Sequence, residues 1–330
     1  MTSAHETWLN FNRVVENARK KIRLLDVDDS ELCDELTRMS NEMRDLEMDG
    51  DASLLHREMA DSARRRRKEV RIDDMNDERR ELITAARLIA TGMEDQDEDD
   101  SVCHLTRSSF AVPCEYLADM ESSYNRAIQC AIELKALKLA GLLALEAATA
   151  TRKWKHQRIT HEMFLVKAER LLNGEIYTKC EAYVMHLNLM IDQMKWDKML
   201  DLVDEFWQFC QKCMPTSNAT INLMLKECEI ATYLLVVLLK MNQLTGRRKV
   251  VVEMFTSKPQ LNNEKYMGTP VQVYEQPTHS SLTFNEFYTV KAFGGFISRA
   301  EWARARAISA SASILPPLAR RLMDCVLSQE

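Results

Sequence analysis

Cys210-Gln211-Lys212-Cys213 has the most direct claim on chemistry in this sequence, a CxxC preceded by Trp207 and Phe209. Dithiol redox chemistry wants the first cysteine at a helix N-terminus after a strand, where the helix dipole favours a thiolate. Here the pair closes a helical pattern, and the negative end of the dipole opposes a thiolate. A zinc site needs two more ligands at matching spacing, and Cys180, His186 and Cys228 form no recognisable second pair. The CxxC is therefore read as two thiols that happen to share a helix. His161-Glu162-Met163-Phe164-Leu165 opens like the HExxH helix of a zinc protease, but Leu165 stands where the second histidine must be. The sequence contains no P-loop, no GxGxxG and no GxSxG. The resulting expectation is a protein that is not an enzyme, with no catalytic residue, no metal, no cofactor and no small-molecule substrate.

The remaining chemistry is charge. Arg64, Arg65, Arg66, Arg67 and Lys68 form a cationic block, and Glu94 to Asp100 holds six acids in seven residues. The block reads either as a nuclear-import cluster or as a solvated helix surface paired with those acids. With a net charge of −6 and no helix-turn-helix, zinc finger or aromatic RNA platform, direct sequence-specific nucleic-acid binding is not expected. The expected partners are other proteins. Read as an N-terminus, Met1 to Glu6 lacks the basic and apolar regions of a secretory leader. The longest apolar run, Ile230 to Leu239, is about half of the roughly 20 residues that span a bilayer, so it reads as a buried helix with no membrane role. Nine cysteines then read as reduced thiols acting as small hydrophobes in cytosol or nucleus.

Helices must position these groups. Eight Gly and seven Pro in 330 residues leave little material for tight turns, which disfavours an all-β fold. Nineteen Met, with Leu, Ala, Glu, Lys and Arg, are residues that lose little rotamer freedom in a helix. Apolar spacing of three and four predicts helices over 5–25, from Leu32 to Leu46, from Ala52 to Ala63 and from Asp77 to Thr91, with Gly50 and Gly92 as stops. A further helix is expected from Glu115 to Thr151, then His156–Leu172, Ile176–Met194, Asp197–Cys213 and one from Asn218 to Met241. Met185, Met190, Met194 and Met199 form a stripe that reads as core, with an adaptable partner groove as the sharper alternative.

Two joints look alike. Lys153-Trp154-Lys155 and Lys195-Trp196-Asp197 lie 42 residues apart, each between long helices, as in a tetratricopeptide turn with a looser and longer period. Trp154 and Trp196 are read as structural turn residues. The stretch Trp154-Lys155-His156-Gln157-Arg158-Ile159, followed by Glu162-Met163-Phe164 and Lys167-Ala168-Glu169, resembles fungal members of the Zip-four, or sporulation-specific Spo-twenty-two, family of meiotic crossover scaffolds. The resemblance covers about residues 115–240. It implies a nuclear scaffold in meiotic recombination and chromosome synapsis, working through protein contacts. A cytoplasmic adaptor without a chromosomal role is the alternative.

The organisation expected is all-α: an N-terminal helical segment (1–93), an acidic linker (94–114), an irregular antiparallel helical-hairpin, TPR-like array (115–244), and a poorly ordered C-terminal tail (245–330). In the tail, Val250-Val251-Val252 reads as β-prone, Pro259 to Thr283 lacks periodicity, and Arg299 to Ile314 offers one short helix ended by Pro316-Pro317.

Overall fold

The computed structural model describes residues 30–46, 48–66, 72–92, 113–152, 158–213, 218–241, 243–257, 261–266, 269–274 and 280–328, together with Leu9, Arg13 and Glu16. The 5–25 helix (apart from those three residues), Arg67, Lys68, the acidic run and the Trp154 joint lie outside them. The fold is all-α, as expected. It forms two compact units, Met1–Glu175 and Ile176–Glu330. That boundary falls inside the stretch expected to be one helical array.

The first unit contains α1 (Ser30–Asp45), α2 (Asp49–Arg66), α3 (Ile72–Gly92), α4 (Pro113–Glu133), α5 (Leu137–Thr151) and α6 (Arg158–Leu171). Each helix packs on the next in sequence. Methionine fills much of the α1–α2 interface, where Met39, Met43, Met48 and Met59 are buried with Leu36, Leu55 and Leu88, because a flexible thioether fits irregular gaps. Gly50 does not end a helix. It lies in the first turn of α2, and a Cβ there would meet the Tyr116 ring of α4 at 2.7 Å. Gly141 plays the same part in α5, where a Cβ would sit 2.7 Å from Leu172.

Alternate helices are tied by polar bridges. Arg57 and Arg126 join α2 to α4 through Asp119 and Asp61. Arg87 of α3 donates two hydrogen bonds to Glu146 of α5, at 2.7 and 2.8 Å. Thr160 and Lys167 of α6 donate to Glu121 and Asn125 of α4. These bridges add links between alternate helices to the packing of each helix on its neighbour.

The second unit contains α7 (Ile176–Asp192), α8 (Trp196–Cys213), α9 (Ala219–Leu239), α10 (Gly246–Thr256), an antiparallel hairpin of β1 (Leu261–Tyr266) and β2 (Thr269–Tyr274), α11 (Phe284–Ser298), α12 (Trp302–Ser311) and α13 (Pro317–Leu327). Here α9 is central. It packs against α8, α10, α11 and α13, and the apolar run from Ile230 is buried around the helix as far as Val236. Tyr233, Phe255 and Phe287 stack in series from α9 through α10 to α11, with centroids 4.4 and 4.9 Å apart.

The span read as an irregular tail is therefore mostly helical where it is described. Val250 to Val252 lie in α10 because Val251 and Phe255 reach the α9 interface and tertiary burial outweighs β propensity. Thr283 and Glu286 form a capping box that starts α11. Pro317 begins α13 at the first helical position, where its missing N–H costs nothing.

Three joints share one backbone design without glycine. Lys135, Met194 and Ala300 are left-handed, with φ of 58°, 54° and 57°. In each, that residue's N–H bonds three residues back and the following N–H five back, as in Ala136 to Ala131 and Lys195 to Met190. A new helix begins two residues after the left-handed one. The Lys135 joint divides the single helix expected over Glu115–Thr151 into α4 and α5. Lys195-Trp196 is indeed a helix-to-helix turn, and Trp196 opens α8.

Candidate functional site

The strongest chemical constellation was not visible in the sequence. Ser40 of α1, His56 of α2 and Glu81 of α3 form a chain in which Ser40 Oγ lies 3.0 Å from His56 Nε2 and His56 Nδ1 lies 2.8 Å from Glu81 Oε2. Arg80 Nε donates to the other Glu81 oxygen at 3.1 Å. Burial opposes ionisation of Glu81, but the His56 hydrogen bond and charge and the Arg80 contact outweigh it and hold its carboxyl below the ordinary range. The spacings, 16 and 25 residues, match no motif.

These distances meet the nucleophile–base–orienter criterion of acyl-transfer catalysis. The surroundings do not complete it. Ser40 is 1% exposed and sits inside α1, whose backbone N–H groups are spent on the helix ladder rather than pointed at an oxyanion. A carbonyl substrate has no approach to such an oxygen. What the chain of three does is join α1, α2 and α3 at one level with satisfied polar groups.

The basic block divides. Arg64 and Arg65 are exposed in the last turn of α2, while Arg66 is half-buried with its Nε 3.9 Å from Asp74. His161, the first residue of the broken protease motif, is buried, and its Nδ1 lies 2.6 Å from the Ala148 carbonyl near the C-terminal end of α5. Its role there is to satisfy a helix end. The methionine stripe is not continuous: Met190 and Met199 are core, Met185 is half-buried, and Met194 is exposed at the α7–α8 joint.

Cys213 ends α8, as expected, and Cys210 lies one turn earlier. Cys180, Cys210 and Cys228 are buried and Cys213 is half-buried, all four as free thiols. No group of three or more ligating side chains among the described residues could hold a metal ion.

Buried carboxylates on α9 work as caps for other elements. Glu229 accepts from Ser281 N–H at 3.1 Å and from Ser280 Oγ at 2.9 Å, and Glu227 accepts from Leu318 N–H at the start of α13. Burial raises the affinity of both for a proton, and the bonds from Ser280, Ser281 and Leu318 partly offset it. Arg247 of α10 reaches Asp204 of α8 at 2.7 Å and Thr232 of α9 at 3.0 Å while stacking on Trp207 at 4.6 Å. A shallow cleft of about 680 Å³ is lined by Ala300, Glu301, Trp302, Ala303 and Arg304, and Glu301 pairs both Arg299 and Arg304 there. Among the described residues, no helix is long and apolar enough to cross a membrane.

Comparison with known proteins returns no matching family model and no matching curated protein.

Proposed function

We propose that the protein is a helical scaffold that works through contacts with other proteins rather than by catalysis, and that its setting is the nucleus in meiotic recombination and chromosome synapsis. The observation that carries the scaffold reading is the stacking of α1 to α6. Each helix packs on its neighbour, and polar bridges tie alternate helices. Such stacks bury their core between hairpins and leave long faces for partners. The meiotic part rests on the resemblance carried by Trp154 to Glu169. Arg64 and Arg65, exposed at the end of α2, leave part of the basic block open to an import receptor. The reading includes no sequence-specific nucleic-acid contact and no small-molecule substrate.

A cytoplasmic adaptor is the second reading. It is favoured by the approach of Arg66 to Asp74, which gives part of the same block a local structural use.

Affinity capture of the full chain from meiotic and vegetative cells, with cross-linking, tests the scaffold reading. Recovery of the same proteins by direct binding to purified full-length chain supports it. Failure of every captured protein to bind directly overturns it. Localisation separates the two settings. A variant with Arg64, Arg65, Arg67 and Lys68 changed to Gln, leaving Arg66 to Asp74, is expected to lose nuclear signal. Cytoplasmic signal in both proteins sinks the nuclear reading.

A further inference from the structure

Helix α6 is the last helix of the first unit, and it carries apolar side chains on two sides. Inward, Phe164, Leu165 and Ala168 are buried, and Thr160 and Lys167 bond across to α4. Outward, Ile159 is 76% exposed and Met163 47%, with Val166 half-buried and Arg170 exposed. Steps of four, three and four residues put these four side chains in one line along the helix. Apolar residues scattered singly over a surface are ordinary, but a contiguous apolar line marks an interaction site. Ile159, Met163 and Val166 stand at i, i+4 and i+7, the anchor spacing by which one helix is held against another.

The charge around that line selects its occupant. Arg158 flanks the line at its N-terminal end and Arg170 finishes it at the other, both exposed. Neither is held in an ion pair among the described residues, whereas the acids of α6, Glu162 and Glu169, lie at the edge of the line and are already engaged. The unanswered charge is therefore positive at both ends. We propose that this face of α6 docks an amphipathic helix of another protein, one with an apolar stripe to cover Ile159, Met163 and Val166 and with carboxylates to meet Arg158 and Arg170. The arginines are twelve residues apart. At about 1.5 Å per residue that is roughly 18 Å along the axis, so the partner helix carries its acids about three turns apart.

A second copy of the chain is the poorer occupant. Laid antiparallel with the apolar lines matched, α6 against α6 sets Arg158 near Arg170 at both ends, and laid parallel it sets each arginine against its twin. Like charges so placed disfavour the pairing. The proposal rests on the scaffold reading and gives it one face and one partner chemistry.

The test titrates purified full-length protein into a fluorescein-labelled, stapled synthetic helix with leucines at the matching spacing and glutamates at both ends, read by fluorescence anisotropy. A second peptide has lysine in place of each glutamate. The glutamate peptide is expected to bind roughly tenfold or more tightly than the lysine peptide. Met163→Asp is expected to weaken that binding by roughly tenfold or more, and Arg158→Glu combined with Arg170→Glu to reverse the preference between the peptides. All three changes are at exposed positions, and circular dichroism checks that helical content is unchanged. Equal binding of the two peptides, unchanged binding by Met163→Asp, or no binding of either overturns the proposal. So does a dimer in sedimentation that Met163→Asp dissolves, which gives the face to a second copy. If these fail while captured proteins still bind the purified chain directly, only this face is struck and the scaffold reading stands.

Discussion

Replacing Asp51 by asparagine isolates the cost of one buried carboxylate. Asp51 lies in the first turn of α2, is 3% exposed, and leaves Oδ2 without a hydrogen-bond partner. The helix N-terminus favours its charge, yet burial wins and raises its pKa from 3.8 to about 6. At about 1.36 kcal/mol per pH unit, that gap corresponds to roughly 3 kcal/mol. Between pH 3.8 and about 6 the folded chain keeps a proton that the unfolded chain has released. Stability therefore falls as pH rises through that window and stays lowered above it. Asparagine cannot ionise, so it removes the penalty but leaves a buried amide short of a partner, at a cost of about 1 kcal/mol at every pH. The expected result is a variant about 2 kcal/mol more stable than wild type at pH 8 and about 0.5 kcal/mol less stable at pH 4, where the unfolded carboxyl is already partly ionised. Urea unfolding followed by far-UV circular dichroism at the two pH values measures both differences, and other titrating groups cancel between the two proteins. An equal difference at pH 4 and pH 8 would refute the reasoning, because it would mean that Asp51 keeps its ordinary pKa in the fold.

Three further outcomes follow from the backbone, the core and the polar chain. Met194→Gly removes the cost of a side chain at φ 54° on an exposed turn, and is expected to stabilise the chain by about 1 kcal/mol in chemical denaturation. Gly294→Ala and Gly295→Ala are expected to act in opposite directions. At 294 a Cβ would lie 2.1 Å from Tyr233 Oη, and that ring cannot withdraw because it stacks on Phe255, so a loss of about 2 kcal/mol is expected. At 295 nothing lies within 4 Å, and alanine gains up to about 1 kcal/mol of helix propensity. Ser40 is expected to resist a fluorophosphonate probe in the folded protein, and labelling of Ser40 read by mass spectrometry would overturn the non-catalytic reading.

The regular helices were readable because their apolar spacing is a local property. Trp196 to Cys213 and Ala219 to Leu239 begin and end within about two residues of the periodic pattern, and Asn218 caps the latter through its side chain. The break at Lys135 was not readable, because a left-handed lysine carries no glycine or proline to mark it. Gly50 misled for the complementary reason. Its missing side chain serves a close approach by Tyr116, a partner more than sixty residues away. In the C-terminal span, Val250 to Val252 and Pro316-Pro317 were judged by local propensity, whereas burial against α9 and the N1 position decide their structure. The Ser40–His56–Glu81 chain depends on the register of one helix against another. Residue spacing along the chain does not encode that register.

The central position of α9 also sets a schedule for synthesis. Its apolar surface is complete once the ribosome has passed Val236, but α13, which covers part of it, begins about eighty residues later. At roughly 5–20 residues per second, that surface waits some 4–16 s for its cover. The first unit has no such delay, because each helix meets its packing partner as the next one emerges. Nascent chains stalled between α9 and α13 are accordingly where chaperone binding and aggregation of this protein should concentrate.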